Sequence, residues 1–110
     1  MVADQRSLLV DIDGVLVVSW EALPGAVEAL RTLRSAHVPV RFLTNTTSRT
    51  RAQITQALGG AGFEVAGDKV LTVTTAAAEH LTQHHRGARC LFLNSGDGAQ
   101  PVRPVTSACP

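Results

Sequence analysis

Short apolar runs alternate along the chain with longer segments in which apolar residues recur every three or four positions. Runs of four or five residues are typical of buried strands, and the longer segments are typical of helices that bury one face. Strands of this length between helices of about three turns predict βαβ units with right-handed crossovers. The pattern therefore predicts an α/β fold with a parallel sheet of about four strands and helices on both faces.

Four segments are predicted to be strands. Each is a short apolar run followed by polar residues or by a residue that favours a turn. They are residues 7–10, 40–43, 70–73 and 90–93.

Three segments between or after these strands are predicted to be helices. Proline suits the first turn of a helix, and serine or threonine side chains cap its free amides. Glycine or proline shortly after a periodic segment ends it. The helices are predicted to begin near Pro24, after Thr47 or Ser48, and at Thr75, and to end before Pro39, at Gly59 and near His84.

The composition changes after residue 94. Residues 95–110 read SGDGAQPVRPVTSACP, which is rich in glycine, proline, serine and threonine and has no apolar period. We expect a disordered tail there. The preceding residues 1–94 are enough for one domain with a modest core. The predicted sheet nevertheless has fewer elements than a sheet covered by helices on both faces requires.

The overall composition argues against some classes of partner but does not identify a function. The chain is 45% apolar and 17% charged with a net charge of +1, so it gives no reason to expect a nucleic-acid or membrane partner. No apolar run approaches the roughly 20 residues that cross a bilayer, and we see no signal peptide. Cys90 and Cys109 form no paired motif, which favours a reduced, cytoplasmic setting.

Two carboxylates, Asp11 and Asp13, interrupt the apolar segment LLVDIDGVL, residues 8–16. Burying an ionised carboxylate without a partner is costly, so the pair requires a cation, donors or a chemical task. Ligands of open parallel sheets bind beyond the carboxyl ends of the strands, and Mg²⁺ prefers oxygen ligands. The pair therefore predicts a Mg²⁺ site, and Gly14 allows a turn that brings backbone N–H groups close to an anion.

A second polar group follows the second predicted strand in FLTNTT, residues 42–47. Thr44 should emerge at the same edge as the acids if the two strands are neighbours. A hydroxyl beside free N–H groups suits a phosphate, and the two carboxylates then suit the roles of nucleophile and proton donor. A plainer interpretation stays open, in which the acids bind local N–H groups and Thr44 caps the next helix.

These motifs resemble those of the haloacid dehalogenase superfamily of phosphotransferases. DIDGVL, residues 11–16, is similar to its first motif, and LTN, residues 43–45, to its second. LPGAVEALRTLR and TNTTSRTRAQITQALGGAGF, residues 23–34 and 44–63, are similar to the type IIA capped branch. Within that branch they look most like the subgroup that includes the phospholysine phosphohistidine inorganic pyrophosphate phosphatase and haloacid dehalogenase-like hydrolase domain-containing proteins. The resemblance extends over residues 8–93.

The resemblance implies a site and a reaction. Asp11 would be the nucleophile that forms an aspartyl-phosphate, and Asp13 would protonate the leaving group and then activate water. The Asp11 carboxylate and the Asp13 carbonyl would ligate Mg²⁺, while Thr44 and the Asn45 N–H would hold the phosphoryl oxygens. The partner would be a small phosphorylated substrate or a phospho-amino acid.

The resemblance also implies that residues 1–94 form the N-terminal part of a Rossmann-like core, with an inserted cap starting near residues 75–94. The family's later lysine and acidic motifs are not found. We therefore expect a fragment or a truncated product that is weakly active or inactive alone. Uncovered apolar surface should then favour a homo-oligomer.

Two alternatives to a truncated phosphatase remain. The first is a non-catalytic remnant that binds phosphate and Mg²⁺ or serves as an interaction module. The second is a compact, uncapped phosphatase in which Lys69, the single lysine of the chain, and Asp97 supply the missing motifs.

Overall fold

The computed structural model describes residues 7–108, and a three-stranded parallel sheet lies at its centre. In chain order the elements are β1 (Leu8–Asp11), β2 (Val17–Val18), β3 (Glu21–Ala22), α1 (Ala26–Ser35), β4 (Val40–Thr44), α2 (Arg51–Gly60), β5 (Val70–Thr72), α3 (Val73–His84), β6 (Arg89–Cys90) and β7 (Ser107–Ala108), with single 3₁₀ turns at Gly67–Lys69 and Arg103–Val105.

The order of the central strands is β1-β4-β5. Each of these strands coincides with a predicted one to within a residue, and the pairing is parallel. The α/β class and the parallel sheet are therefore confirmed, as an incomplete core of three strands rather than about four.

The core lies between this sheet and the first two helices. Phe42 of β4 and Val70 of β5 are in register and buried, and they share one cluster with Leu30 of α1 and with Ile54 and Leu58 of α2. The chain moves across the sheet in one direction, from β1 to β4 to β5, so right-handed crossovers place α1 and α2 on the same face.

The cap of α2 differs from the prediction. Thr50, not Thr47 or Ser48, is its N-cap: the Thr50 hydroxyl accepts from the Gln53 N–H at 3.2 Å, and the Gln53 side chain accepts from the Thr50 N–H at 2.9 Å. The two predicted caps precede this reciprocal pair in the loop after β4. A threonine with glutamine three residues later outcompetes an isolated hydroxyl because it satisfies two amides at once.

The prediction of a fourth central strand at residues 90–93 is wrong. Only Arg89–Cys90 is extended, and it pairs with Ser107–Ala108 instead of the central sheet. Leu91 and Leu93 are 72% and 89% exposed. A short apolar run does not specify its pairing partner, and here the partner is a segment whose composition favours no regular structure.

Residues 94–98 contact the loop after β4. The Asp97 N–H donates to the Ser48 carbonyl at 3.0 Å, and the Asn94 amide donates to the Thr47 carbonyl at 3.2 Å. Gly98 is buried, and a Cβ there would overlap the Thr47 carbonyl oxygen. This part of the predicted tail is therefore folded against the loop, residues 109–110 lie outside the described residues, and the domain boundary at residue 94 stays a prediction.

Within the described range, 7–108, no helix combines the length and apolarity that crossing a membrane demands.

The Gly98→Ala substitution tests the contact between residues 94–98 and the loop after β4. We expect it to lower the free energy of unfolding by about 1–3 kcal/mol, the usual cost of an overpacked methyl group. Urea unfolding followed by circular dichroism measures this. Gly59→Ala is the matched control, since a Cβ there meets nothing within 4 Å and should stabilise α2 by about 0.5–1 kcal/mol. Equal stability of the parent and Gly98→Ala would contradict the contact.

Candidate functional site

The predicted site lies at the carboxyl edge of the sheet, where β1 ends at Asp11 and β4 ends at Thr44. Asp11 is in register with Leu43, and the Ile12 N–H donates to the Leu43 carbonyl at 3.1 Å, one residue beyond β1. Segments that follow neighbouring parallel strands leave the sheet at the same edge. The two segments that carry the predicted chemistry are therefore adjacent.

A hydrogen bond joins these two segments directly. The Thr44 hydroxyl donates to Asp13 Oδ2 at 3.3 Å and accepts from the Thr46 N–H at 3.2 Å. Thr44 is only 2% exposed, whereas Asp13 is exposed. The hydroxyl is thus fixed from two sides, and it links residues that are 31 positions apart in the sequence.

Asp11 occupies the last position of β1 and is exposed. Its Oδ1 accepts from the Ile12 N–H at 2.9 Å. Asn45, which directly follows Thr44, is exposed as well. The structure therefore brings Asp13 and Thr44 into contact, and it places Asp11 and Asn45 at the same edge with exposed side chains.

The turn after β1 is built around the Ile12 carbonyl. The amides of Val15, Leu16 and Val17 all donate to it, at 3.4, 3.0 and 3.2 Å. Gly14 has a φ of 82°, in the left-handed region that glycine favours. Its N–H donates to the Val17 carbonyl at 2.8 Å, so a phosphate at Gly14 must compete with that bond.

The oxygen ligands at this edge are of the kind that a hard cation binds. Between residues 7 and 108, no cluster of three or more His, Cys, Asp or Glu side chains surrounds a potential metal position. Mg²⁺ in proteins is commonly held by only one or two carboxylates and completes its shell with water and phosphate oxygens. The carboxylates of Asp11 and Asp13, with the Asp13 carbonyl, suit a magnesium ion that shares its shell with a phosphorylated ligand.

The compact alternative with Lys69 and Asp97 is not supported by the structure. Lys69 directly precedes β5, at the amino edge of the sheet, where it lines a groove with Arg34 and Pro39. Asp97 Oδ2 accepts from Gln53 Nε2 at 2.9 Å, so this carboxylate is engaged with α2. Lys69 therefore lies at the amino edge of the sheet, whereas Asp11 and Thr44 lie at the carboxyl edge.

A cluster of threonine hydroxyls beside Thr44 was not expected from the sequence. Thr72, in register with Thr44, is 1% exposed, and its Oγ1 lies 3.2 Å from Thr74 Oγ1 and 3.0 Å from Thr75 Oγ1. Thr72 and Thr75 form the capping box of α3, which begins directly after β5. The sequence TVTT, residues 72–75, could have indicated this cluster. Its threonines cap the N-terminus of α3.

A hairpin formed by β2 and β3 follows the turn after β1. Its two turn residues, Ser19 and Trp20, have φ values of 50° and 63°, a conformation that normally selects asparagine and glycine. Trp20 packs against the core, and the Arg49 guanidinium lies 4.6 Å from its ring centroid. The contact thereby attaches the hairpin, which follows the first motif, to the loop that follows the second motif.

Comparison with known proteins identifies the family. A family model described as haloacid dehalogenase-like hydrolase matches residues 8–105. The chain belongs to this family. It is 40% identical over 78 residues to haloacid dehalogenase-like hydrolase domain-containing protein 2 of Mus musculus, a match that covers 71% of this chain and 30% of the relative.

Solved structures agree with this assignment. NagD from E. coli K-12 has a TM-score of 0.80 at 26% identity, over 94% of this chain and 41% of that one. A glycerol phosphate phosphatase from Mycobacterium tuberculosis, in complex with magnesium, has a TM-score of 0.80 at 30% identity, over 94% of this chain and 31% of that one. The predicted type IIA branch is confirmed, and the chain spans about 30% of the length of the curated relatives it matches.

The contact between Arg49 and Trp20 generates a prediction about the hairpin. Trp20 and Arg49 are both half-buried, and a cation–π contact is worth about 0.5–1 kcal/mol or more, so Arg49→Ala should raise the quenching of Trp20 fluorescence by acrylamide about twofold. Trp20 is the only tryptophan of a chain without tyrosine, so the emission reports this position alone. Arg51→Ala, at the exposed start of α2, is the control. Unchanged quenching in Arg49→Ala would show that the contact does not order the hairpin.

Proposed function

We propose that this chain binds Mg²⁺ and a small phosphorylated molecule at the carboxyl edge of its sheet, as the nucleophile-bearing part of a haloacid dehalogenase-like phosphatase. The observation that carries this proposal is the hydrogen bond from Thr44 to Asp13, because it joins the two segments whose motifs resemble the family's first and second. Family membership and the magnesium in the mycobacterial structure support the choice of metal.

The proposed reaction uses Asp11 as the nucleophile and Asp13 first as an acid and then as a base. The Asp11 carboxylate attacks phosphorus, the bond from phosphorus to the leaving oxygen breaks, and Asp13 gives that oxygen a proton. Asp13 then takes a proton from the water that attacks the aspartyl-phosphate, which releases inorganic phosphate and regenerates Asp11. Bound Mg²⁺ supplies positive charge that offsets the phosphate and the two carboxylates.

The bond between Thr44 and Asp13 couples phosphate binding to the protonation of Asp13. A threonine hydroxyl has one proton and two acceptor positions. While Asp13 is ionised, its carboxylate accepts the hydrogen bond that the threonine hydroxyl donates. Once Asp13 carries its own proton, as a general acid must, it can donate to Thr44 Oγ1, and the threonine proton becomes available for a phosphoryl oxygen. Thr44 thus binds phosphate best when Asp13 is ready to protonate the leaving group.

The charge at the site argues for slow turnover. The proposed reaction requires two carboxylates and a phosphate at one site, and the single lysine lies at the other edge of the sheet. An uncompensated like-charge pair at 4 Å costs about 4 kcal/mol at an effective dielectric constant of 20. Such a cost in the transition state lowers the rate by about three orders of magnitude. This favours a second candidate function, the binding of Mg²⁺ and phosphate without hydrolysis.

Hydrolysis of p-nitrophenyl phosphate, with Mg²⁺ or with EDTA, tests the catalytic proposal. We expect Mg²⁺-dependent release of p-nitrophenolate at rates about a thousandfold below the usual 1–10³ s⁻¹ of enzymes, and none from Asp11→Asn. Asp68→Asn, in the 3₁₀ turn before β5, is the control and should behave as the parent does. Turnover that survives Asp11→Asn would refute the role of Asp11.

Calorimetric titration with inorganic phosphate in the presence of Mg²⁺ tests binding separately. Removing a hydrogen bond to a charged group costs about 1.5–3 kcal/mol, so Thr44→Val should weaken phosphate binding about 10- to 100-fold. Thr55→Val is the matched control, because its hydroxyl bonds to the Arg51 carbonyl within α2. Binding without hydrolysis supports the second function, and the absence of both overturns the proposal.

A further inference from the structure

Three of the four histidines of the chain lie together at the end of α3. His80 and His84 are one turn apart on the helix, and His85 directly follows its last residue. Side chains at positions i and i+4 share one face of a helix. All three histidines are exposed, and the ring centres of His80 and His84 are 4.7 Å apart. We call His80 and His84 the histidine pair.

The separation of the two rings is that of two imidazoles bound to one metal ion. A ring nitrogen lies about 1.1 Å from its ring centre and about 2.0–2.1 Å from a bound zinc ion, so each ring centre lies about 3.2 Å from the metal. Square-planar and tetrahedral angles of about 90–109° then put neighbouring ring centres about 4.5–5.2 Å apart. The observed 4.7 Å lies within this interval.

The ring nitrogens of the pair are available to a metal. In the part of the chain that the structure describes, the two rings contact histidines and make no hydrogen bond or ion pair. A neutral imidazole has one nitrogen that can accept, and its ring torsion is broad, so either nitrogen can turn outward. A metal ion at the pair therefore displaces no hydrogen bond among the described residues.

The end of α3 also favours a positive charge. The last carbonyls of a helix carry partial negative charge, which stabilises a nearby cation. His84 is the last residue of α3, and the His85 N–H donates to the Leu81 carbonyl at 2.8 Å, so the helix is regular as far as the pair. Arg86 follows in the sequence, and its charge limits the affinity for a cation.

His85 does not complete the set of ligands. Its ring centre is 5.9 Å from that of His80, which requires an angle of about 135° at a shared metal, and neither tetrahedral nor square-planar geometry supplies this angle. Across residues 7–108, no three His, Cys, Asp or Glu side chains surround a common metal position. The site is therefore one of two imidazoles, with water in the remaining positions.

We propose that the histidine pair binds a divalent transition-metal ion, with Zn²⁺ as the probe. Imidazole suits zinc, copper and nickel, whereas Mg²⁺ prefers oxygen ligands, so this site and the carboxylates of the carboxyl edge select different metals. They are also apart in space. α3 begins directly after β5 at that edge and has 12 residues, so its end lies about 18 Å from its start.

Two ligands limit the affinity. Structural zinc sites with four protein ligands bind with apparent dissociation constants in the nanomolar range or below. Half of that binding free energy corresponds to a dissociation constant between about 1 and 200 µM.

Calorimetric titration of the full chain with ZnCl₂, at about pH 8 in excess Mg²⁺, tests the proposal. The cysteines are alkylated beforehand, because thiolates also bind zinc. His84→Gln should weaken zinc binding at least about tenfold. His37→Asn is the matched control, since it removes the remaining histidine at a φ of 57°, which asparagine tolerates, and it should bind as the parent does. Equal affinity in the two variants, or no binding below about 1 mM, would overturn the proposal.

Two further measurements assign the ion to the histidine pair. Zinc at about ten times the dissociation constant should raise the melting temperature of the parent and not that of His84→Gln. Circular dichroism records this melting and verifies that each variant is folded. Asp11→Asn should retain zinc binding whether or not it loses Mg²⁺ and phosphate, so the result does not depend on the proposed function. Loss of zinc binding in Asp11→Asn would place the ion at the carboxyl edge and overturn the proposal.

Discussion

The parallel pairing of β1 with β4 is the constraint on which the site depends. It sets Asp11 level with Leu43 and lets the Ile12 N–H reach the Leu43 carbonyl, so the turn after β1 meets the loop after β4. A shift of one residue would send every side chain of a strand to the other face. Thr44 would then leave the core, and the hydrogen bond to Asp13 would be lost.

The carboxyl edge of the sheet can be predicted from the sequence because the residues that mark it are close together in the chain. Apolar runs that end in carboxylates or in threonine mark where strands stop, and βαβ alternation makes those strands parallel. Features that depend on tertiary contacts could not be predicted in this way. Cys90 pairs with a strand that no composition rule predicts, and Thr50 takes the cap from Thr47 and Ser48 through a reciprocal bond with Gln53. The overlap that excludes a Cβ at Gly98 is likewise visible only once two distant segments meet.

The direction in which the described strands follow one another also limits the proposed function. Because residues 7–108 cross from β1 to β4 to β5 without turning back, both crossover helices lie on one face, and β1 is an edge strand among the described residues. In doubly wound sheets, ligands bind where the strand order reverses, so one half of such a crevice is present here. That half carries Asp11, Asp13 and Thr44, while the single lysine is at the other edge, so we propose binding rather than efficient turnover.

Backbone amide chemical shifts, measured by NMR during titration with MgCl₂ and then with inorganic phosphate, test whether the cation and the phosphate share one site. We expect Mg²⁺ to shift the amide resonances of residues 11–14, and phosphate added afterwards to shift those of residues 44–46 as well. Shifts confined to other parts of the chain, or none at either segment, would contradict the existence of a common site for cation and phosphate.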